Sequence, residues 1–316
     1  MKIGIIGTGR VGSLLAYTLV HRGIGDELVL YNRNPAVAEG EALDLEHALA
    51  FTPRRMAVTA GDVDDFADAD VITLCASRPL PAGETDRRLL GPENVGLCRD
   101  LLPRFARVAP QASLVILSNP VDVLTHYAVD HTGFPPERVL GCGTLVDSAR
   151  FRAMLSREVG INPFDLRAYI VGEHGPAQFP VMSSAQAGGE WLEDTPERQA
   201  MFEDVVNAGY AILRNKGYTS HAVAMAASLL IEAIAYDTRQ TFPVSQRLDG
   251  YLGETDVALS VPAVVGRGGV RRLLQPAMND KERAAFRSAA DTVRESIRFA
   301  AEQAASNRGG NGSDSP

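Results

Sequence analysis

Residues 2–12, KIGIIGTGRVG, decide the fold. Lys2–Ile6 is a short apolar run of the kind a buried parallel strand makes. Gly7-Thr8-Gly9-Arg10-Val11-Gly12 follows directly, and the Leu, Val and Ala spacing of Val11–Arg22 then reads as a helix. The G-x-G-x-x-G pattern alone is a weak signal, because glycine-rich turns are common; the order strand, glycines, helix gives it meaning. Gly7 permits the tight turn, Gly9 lets a pyrophosphate approach the backbone, and Gly12 lets helix and strand pack closely. The phosphate then sits at the helix N-terminus, so the segment predicts a dinucleotide site.

Outward from this segment the same rhythm repeats. ELVLY (27–31), MAVTA (56–60), DVITLCA (70–76), SLVILS (113–118) and RVLG (138–141) read as further strands. Between them Pro35–Ala50, Asn94–Val108 and Val121–His131 carry helical spacing. The class is therefore α/β, with a doubly wound parallel sheet of Rossmann type over residues 1–145. From Asp147 the pattern changes to long helices, Asp147–Val159, Pro196–Leu213 and Ser220–Ala235, interleaved with short strands such as ALSVPAVVG (258–266). Residues 146–305 read as a mixed α+β substrate or catalytic domain, ending in a charged, Ala-rich helix over Asp280–Ala304. The tail at 306–316, SNRGGNGSDSP, is too poor in apolar residues to bury surface and is expected to be disordered.

The chain has 316 residues, 45% of them hydrophobic, enough for a sizeable core. With 31 Lys and Arg against 39 Asp and Glu the formal charge is −8, and no basic cluster is dense enough to track a phosphate backbone. These features argue against nucleic acid and anionic membranes as partners. The N-terminal apolar run breaks on glycines, unlike a signal peptide, and no apolar run spans a bilayer, so a cytoplasmic protein is expected. Cys75, Cys98 and Cys142 lack metal-type spacing and read as buried thiols in a reducing compartment; no metal site is expected.

After the second strand an NAD enzyme would carry a carboxylate for the ribose hydroxyls; this chain has Asn32 followed by Arg33. Losing the anion removes repulsion toward a 2′-phosphate, and a guanidinium can pair with that phosphate. The pair leans toward NADP(H). NAD(H) stays open, since Asn still hydrogen-bonds a ribose and Arg33 can be a solvated loop residue.

Four segments are not explained by periodicity: Gly83-Glu84-Thr85, Ser118-Asn119-Pro120-Val121-Asp122, Asp147-Ser148-Ala149-Arg150-Phe151-Arg152 and Gly172-Glu173-His174-Gly175. With EGEALDL (39–45), KGYTS (216–220) and LSVPAVVG (259–266), they stand in the order and spacing of the lactate/malate dehydrogenase family, which the chain resembles from Met1 to about Gln275. The resemblance implies nicotinamide-dependent hydride transfer between a 2-oxo acid and its L-2-hydroxy acid, in a homodimer or homotetramer. It implies that His174 is the acid/base, that Asp147 accepts the other ring N–H, and that Arg150 holds the substrate carboxylate with a bidentate fork. Asn119 would hydrogen-bond the substrate oxygen and help orient His174, standing among the substrate- and cofactor-binding residues alike.

The chain departs from the family pattern over Ser77–Leu90, which corresponds to a mobile loop that closes over substrate. The arginine expected after Gly-Glu-Thr is Asp86 here; Arg87 takes the role if one residue is inserted, as the register of Asn94 favours, and Arg88 is the alternative. Leu80 falls where lactate enzymes have Gln and malate enzymes Arg, giving an apolar side-chain pocket and an L-lactate-type reading, with L-malate dehydrogenase as the alternative. Thr219 would form the opposite wall, or simply cap a helix. Asp147 is also a candidate helix N-cap. Arg152 and Arg167 fall where fructose-bisphosphate-activated bacterial relatives carry basic interface residues; pairing with local acids is the favoured reading. Outside this activity, a non-catalytic dinucleotide redox sensor is opposed by the His174, Asp147, Arg150 and Asn119 set. An NAD-dependent glycosidase would need a metal on Cys142 and His174, which the Gly-Glu-His-Gly context and Arg150 fit poorly.

Overall fold

The computed structural model of the chain describes residues 1–78 and 90–309, with residues 304–309 described as backbone only. Its first half alternates β1 (Lys2–Ile6), α1 (Arg10–Arg22), β2 (Glu27–Tyr31), α2 (Pro35–Ala48), β3 (Ala57–Ala60), β4 (Val71–Leu74), α3 (Leu90–Val108), β5 (Ser113–Ile116), α4 (Val121–Thr132) and β6 (Val139–Gly141). These six strands lie parallel in the order β3-β2-β1-β4-β5-β6, the doubly wound arrangement expected from the sequence. The near-continuous apolar character of β1, β4 and β5 follows from helices covering both faces.

The second half is mixed α+β. It comprises α5 (Leu145–Val159), β7 (Leu166–Arg167), β8 (Ile170–Gly172), β9 (Gln178–Pro180), β10 (Gln186–Ala187), β11 (Glu190–Trp191), α6 (Pro196–Lys216), α7 (His221–Tyr236), β12 (Gln240–Tyr251), β13 (Glu254–Gly266), β14 (Gly269–Leu273) and α8 (Asp280–Gly309). Instead of forming a detached sheet, β12, β13, β8 and β9 extend the parallel sheet past β6, with β14 on β13 and a small separate sheet β11-β10-β7. The strand read as ALSVPAVVG is the inner part of a long hairpin. Its partner β12, QTFPVSQRLDGY, gave no strand signal because Pro243 and a polar middle interrupt the alternation. Pro243 faces Pro262 across the pair, so both missing N–H groups fall at one rung.

Two helices of the second half complete cores of the first. Leu230, Ile231 and Ile234 of α7 pack with Ile3, Ile5 and Leu19 on one face of the sheet. On the other face Ala300 of α8 joins Phe66, Phe105 and Leu114. Each fully buried Leu or Ile contributes about 1.5–3 kcal/mol of transfer free energy, so these shared clusters hold the halves together firmly. Helix α8 continues to Gly309, making 306–309 helical where a tail was expected; the rest of that tail, 310–316, lies outside the described residues. Among the described residues no helix is long and apolar enough to cross a membrane.

Candidate active site

Between β1 and α1 the backbone comes close to itself. Gly7 has φ +100°, and a Cβ there would lie 2.6 Å from the Ala76 backbone nitrogen. A Cβ on Gly12 would overlap the Gly7 carbonyl oxygen, whereas one on Gly9 would meet nothing within 4 Å. Gly9 is the N-cap of α1 and offers no side chain to its first-turn N–H groups. It opens onto a cavity of about 640 Å³ shared with Thr8, Arg10 and Ser13. An uncapped helix N-terminus with open space before it suits a dinucleotide pyrophosphate. Asn32, at the end of β2, donates through Nδ2 to Thr8 Oγ1 (2.8 Å) and accepts the Asn34 N–H at Oδ1 (3.0 Å). Arg33 is exposed and pairs with no carboxylate among the described residues.

The second constellation gathers where β8 ends beside α5. Buried Thr144 and Ser148 tie the two together: Thr144 Oγ1 donates to the Ile170 carbonyl (2.6 Å) and the Ile170 N–H donates to Ser148 Oγ (2.9 Å). This docking carries Asp147, in the first turn of α5, to His174, just beyond β8. His174 Nδ1 lies 2.7 Å from Asp147 Oδ2, and Arg150 Nη1, one turn along α5, donates to Asp147 Oδ1 at 3.0 Å. Burial alone would lower the His174 pKa, but the Asp147 hydrogen bond and charge, with help from Asp122, outweigh it and hold it above the usual imidazole value. Burial would likewise raise Asp147, yet the His174 hydrogen bond and charge, then Arg150, bring it below the usual carboxylate value. Both shifts have one cause, the pairing of Asp147 with His174, and both favour the imidazolium–carboxylate form. Nε2 has no protein partner among the described residues.

His174, Asp147, Arg150 and Asn119 line one cavity of about 710 Å³, and Val206 and Leu213 of α6 give it an apolar wall. Thr219 lines it as well; α7 has Ser220 as its N-cap, so Thr219 does not cap that helix. Leu80, Arg87 and Arg88 lie outside the described residues. Two further sequence readings are corrected. The N-cap of α5 is Thr144, with Asp147 inside the first turn, because the Asp147 carboxylate is committed to His174 and Arg150. Arg152 and Arg167 pair with no acid among the described residues: Arg167 donates to the Phe164 carbonyl (2.9 Å), and Arg152 Nε is buried without a partner.

Three polar residues that the sequence did not mark for roles frame the site. Asn94 is fully buried in α3 and donates from Nδ2 to the Asn119 carbonyl (2.8 Å) while accepting the Arg78 N–H at Oδ1 (2.7 Å), which fixes the chain at Asn119. Asp122 and Ser245, both buried, bond each other beneath His174. A buried polar residue on an otherwise apolar helix face is the signal that finds Asn94 and Asp122; nothing marked Ser245, since β12 itself was not visible. The three cysteines are free; burial pushes Cys75, Cys98 and Cys142 up to about 12, where a thiol is inert. Among the described residues no group of three or more His, Cys, Asp or Glu is placed to hold a metal ion.

The family model described as lactate/malate dehydrogenase, NAD binding domain, matches residues 1–141, and that described as the alpha/beta C-terminal domain matches residues 144–304. The L-lactate dehydrogenase of Bacillus caldolyticus is 36% identical over 302 residues, covering 93% of this chain and 95% of its own. That of Salinibacter ruber is 36% identical over 305 residues, covering 93% and 96%. Among solved structures, MGS-M5, a lactate dehydrogenase from a Medee basin deep-sea metagenome library, superposes with a TM-score of 0.91 at 32% identity, covering 95% of this chain and 98% of its own. The minor L-lactate dehydrogenase from Enterococcus mundtii gives 0.90 at 30% identity, covering 94% and 98%. With both halves matched and relatives aligned nearly end to end, the chain belongs to the lactate/malate dehydrogenase family.

Proposed function

We propose that this chain is a nicotinamide-dependent L-2-hydroxy acid dehydrogenase of the L-lactate type. The observation that carries the reading is a single cavity holding His174 on Asp147, the Arg150 guanidinium, Asn119 and an apolar wall. The nicotinamide, when bound, supplies the hydride to the keto carbon. His174, held with Nδ1 on Asp147, delivers its Nε2 proton to the keto oxygen as negative charge develops there. Asp147 keeps the tautomer and favours the imidazolium. Arg150 orients the substrate carboxylate, leaving Asp147 one of its donors and offering the rest of its fork. Asn119 hydrogen-bonds the substrate oxygen. Arg87, or Arg88 if the loop register differs by one, polarises the carbonyl, and Leu80 and Thr219 flank the side chain. In oxidation the same groups act in reverse, with neutral His174 accepting the proton.

Gly7 and Gly12 shape the turn that receives the pyrophosphate at Gly9, and Asn32 with Arg33 tilts the choice toward NADP(H). Asn32 keeps one Nδ2 hydrogen beyond its bond to Thr8, a donor better suited to a phosphate or ribose oxygen than to nothing at all. The functional division falls near residue 145, dinucleotide side before it and substrate side after. Exposed Tyr17, Leu43, Phe51, Met225 and Tyr236 on the α1, α2 and α7 side favour a homo-oligomer, and three free thiols suit the cytoplasm. Among the described residues Val206 and Leu213 offer a second carboxylate, as in oxaloacetate, an apolar wall, and the lining cation Arg150 is given to the first carboxylate, which opposes a malate reading.

Initial rates for pyruvate, oxaloacetate and branched 2-oxo acids, each with NADH and NADPH, test this proposal. Turnover of pyruvate or a slightly larger apolar acid above oxaloacetate is expected. Cofactor binding without turnover of any 2-oxo acid would leave a redox sensor, and a preference for oxaloacetate would make the enzyme malate-type.

A further inference from the structure

The chemistry above uses one carboxylate at His174, but a second is buried behind the same residue. Asp122, the second residue of α4, is 3% exposed, and each of its oxygens is engaged. Oδ2 accepts the His174 backbone N–H at 2.7 Å, and Oδ1 accepts the Ser245 hydroxyl at 2.6 Å. Ser245 sits on β12 at the rung where that strand joins β6 through Gly141. One side chain thus links the dinucleotide half, the histidine loop and the hairpin of the second half. Packing alone does not call for a carboxylate here, since burying its charge is costly. Burial indeed pushes Asp122 up to about 6, with Glu173 adding to the rise, against the Ser245 and His174 hydrogen bonds and the His174 charge.

Resting on the reading of His174 as acid/base, we propose that Asp122 is a positioning residue for proton transfer. It fixes the main chain that carries the imidazole toward Asp147, and it adds negative charge that favours the protonated ring. The two carboxylates divide the work: Asp147 holds the ring through Nδ1, and Asp122 holds the backbone from the opposite side. The charged groups facing His174 are Asp147 and Arg150 from α5, Asp122 from α4 and Glu173 beside it in the chain; those facing Asp122 are His174 and Glu173, with the Ser245 hydroxyl from β12. Asp122 reaches no reacting atom, so its effect passes through His174.

Asp122→Asn in the full chain tests this. The amide is nearly isosteric, keeps one acceptor instead of two and removes the charge. Two readouts are taken: the His174 ring titration by NMR, its signal assigned by its loss in His174→Ala, and kcat and KM for reduction of the preferred 2-oxo acid. The titration midpoint should move to lower pH, and kcat should fall by roughly ten- to a hundredfold with KM changed by less than about threefold. A merely structural Asp122 would lower thermal stability and leave the midpoint in place. A folded variant with an unmoved midpoint, or with kcat within about threefold of the parent, overturns the proposal. Should Asp122→Asn not fold, Ser245→Ala replaces it: removing the hydroxyl weakens the charged form of Asp122, so the midpoint should again move down, and an unmoved midpoint overturns the proposal. Undiminished turnover in His174→Ala would instead sink the acid/base reading itself, whatever the midpoint does.

Discussion

At the end of β1 the site is formed by side chains that are missing, and at the end of β8 by charged side chains that burial disfavours. Gly7, Gly9 and Gly12 span six consecutive positions and act through backbone shape, close packing and a helix N-terminus. His174, Asp147, Arg150 and Asp122 come from two helices and a loop, with Ser245 on a strand far along the chain, and they act through hydrogen bonds and charge. The difference teaches where each region is vulnerable. A backbone-built site fails when an atom is added, a charge-built site when a partner is taken away.

Removing the partner at the centre of the charge-built region should have the largest effect. His174→Ala leaves proton transfer to water and is expected to lower turnover by about 10²–10⁴. Cofactor binding should survive, because the glycine loop is untouched; fluorescence titration with reduced cofactor checks this alongside steady-state rates. The pH dependence has a fixed sign. Reduction needs protonated His174, so its rate should hold at low pH and fall as pH rises through a pKa displaced above the ordinary imidazole value. Oxidation needs the neutral ring and should fall on acidification through the same pKa. Slopes of opposite sign, or turnover within a few-fold of the parent in His174→Ala, would show that the proton comes from elsewhere.

Adding an atom to the backbone-built region separates its glycines. In Gly12→Ala the new methyl overlaps the Gly7 carbonyl, so strand and helix must part at a destabilisation of about 1–3 kcal/mol. Gly9→Ala meets nothing within 4 Å, so thermal stability should hold while the methyl stands where the phosphate approaches. Its cost should appear in cofactor binding, roughly 1–3 kcal/mol if one N–H bond to phosphate is lost. Thermal melts and cofactor titrations on the two variants give the comparison. A destabilised Gly9→Ala with unchanged cofactor affinity would place the phosphate somewhere else.

The same contrast explains what was legible beforehand. The glycine loop and the strands around it are local patterns, so β1, β2 and α1 were readable nearly to the residue, as were most helices of the first half. The types and places of His174, Asp147, Arg150 and Asn119 came from resemblance, since nothing local says that α5 docks on β8. What escaped was non-local: β12 is a strand because β13 pairs with it over eleven rungs despite Pro243 and β6 joins it on the other side, and Ser245 could not be seen until that pairing was known. Asn94 and Asp122 were visible as polar residues on apolar helix faces, but their partners, Asn119 and His174, lie 25 and 52 positions away. The Arg152 and Arg167 reading failed for a related reason: basic residues suggest nearby acids, yet the charged neighbour that Arg152 feels is Arg167, and Arg167 itself donates to the Phe164 carbonyl.

The smallest effect is expected where the two construction principles meet, at the end of β2. Asn32 is held like a backbone element, with its amide oxygen on the Asn34 N–H and its nitrogen on Thr8, so the position is geometrically fixed but carries no charge. Arg33 supplies the charge from an exposed position, where solvent screens it and its long side chain is free. A 2′-phosphate should therefore gain from Arg33 only modestly: Arg33→Ala is expected to weaken NADPH roughly two- to fivefold, the range of an exposed ion pair, and to leave NADH unchanged. Asn32→Asp with Arg33→Ile should do more, because the new carboxylate accepts from the ribose hydroxyls and repels the phosphate, reversing any preference for NADPH. Dissociation constants for both cofactors, measured at low and high salt, separate the contributions, since only the Arg33 share should shrink with ionic strength. Equal affinities in the parent, unmoved by Arg33→Ala, would mean that Arg33 does not reach the cofactor and that the missing carboxylate at Asn32 confers tolerance of both nucleotides without choosing between them.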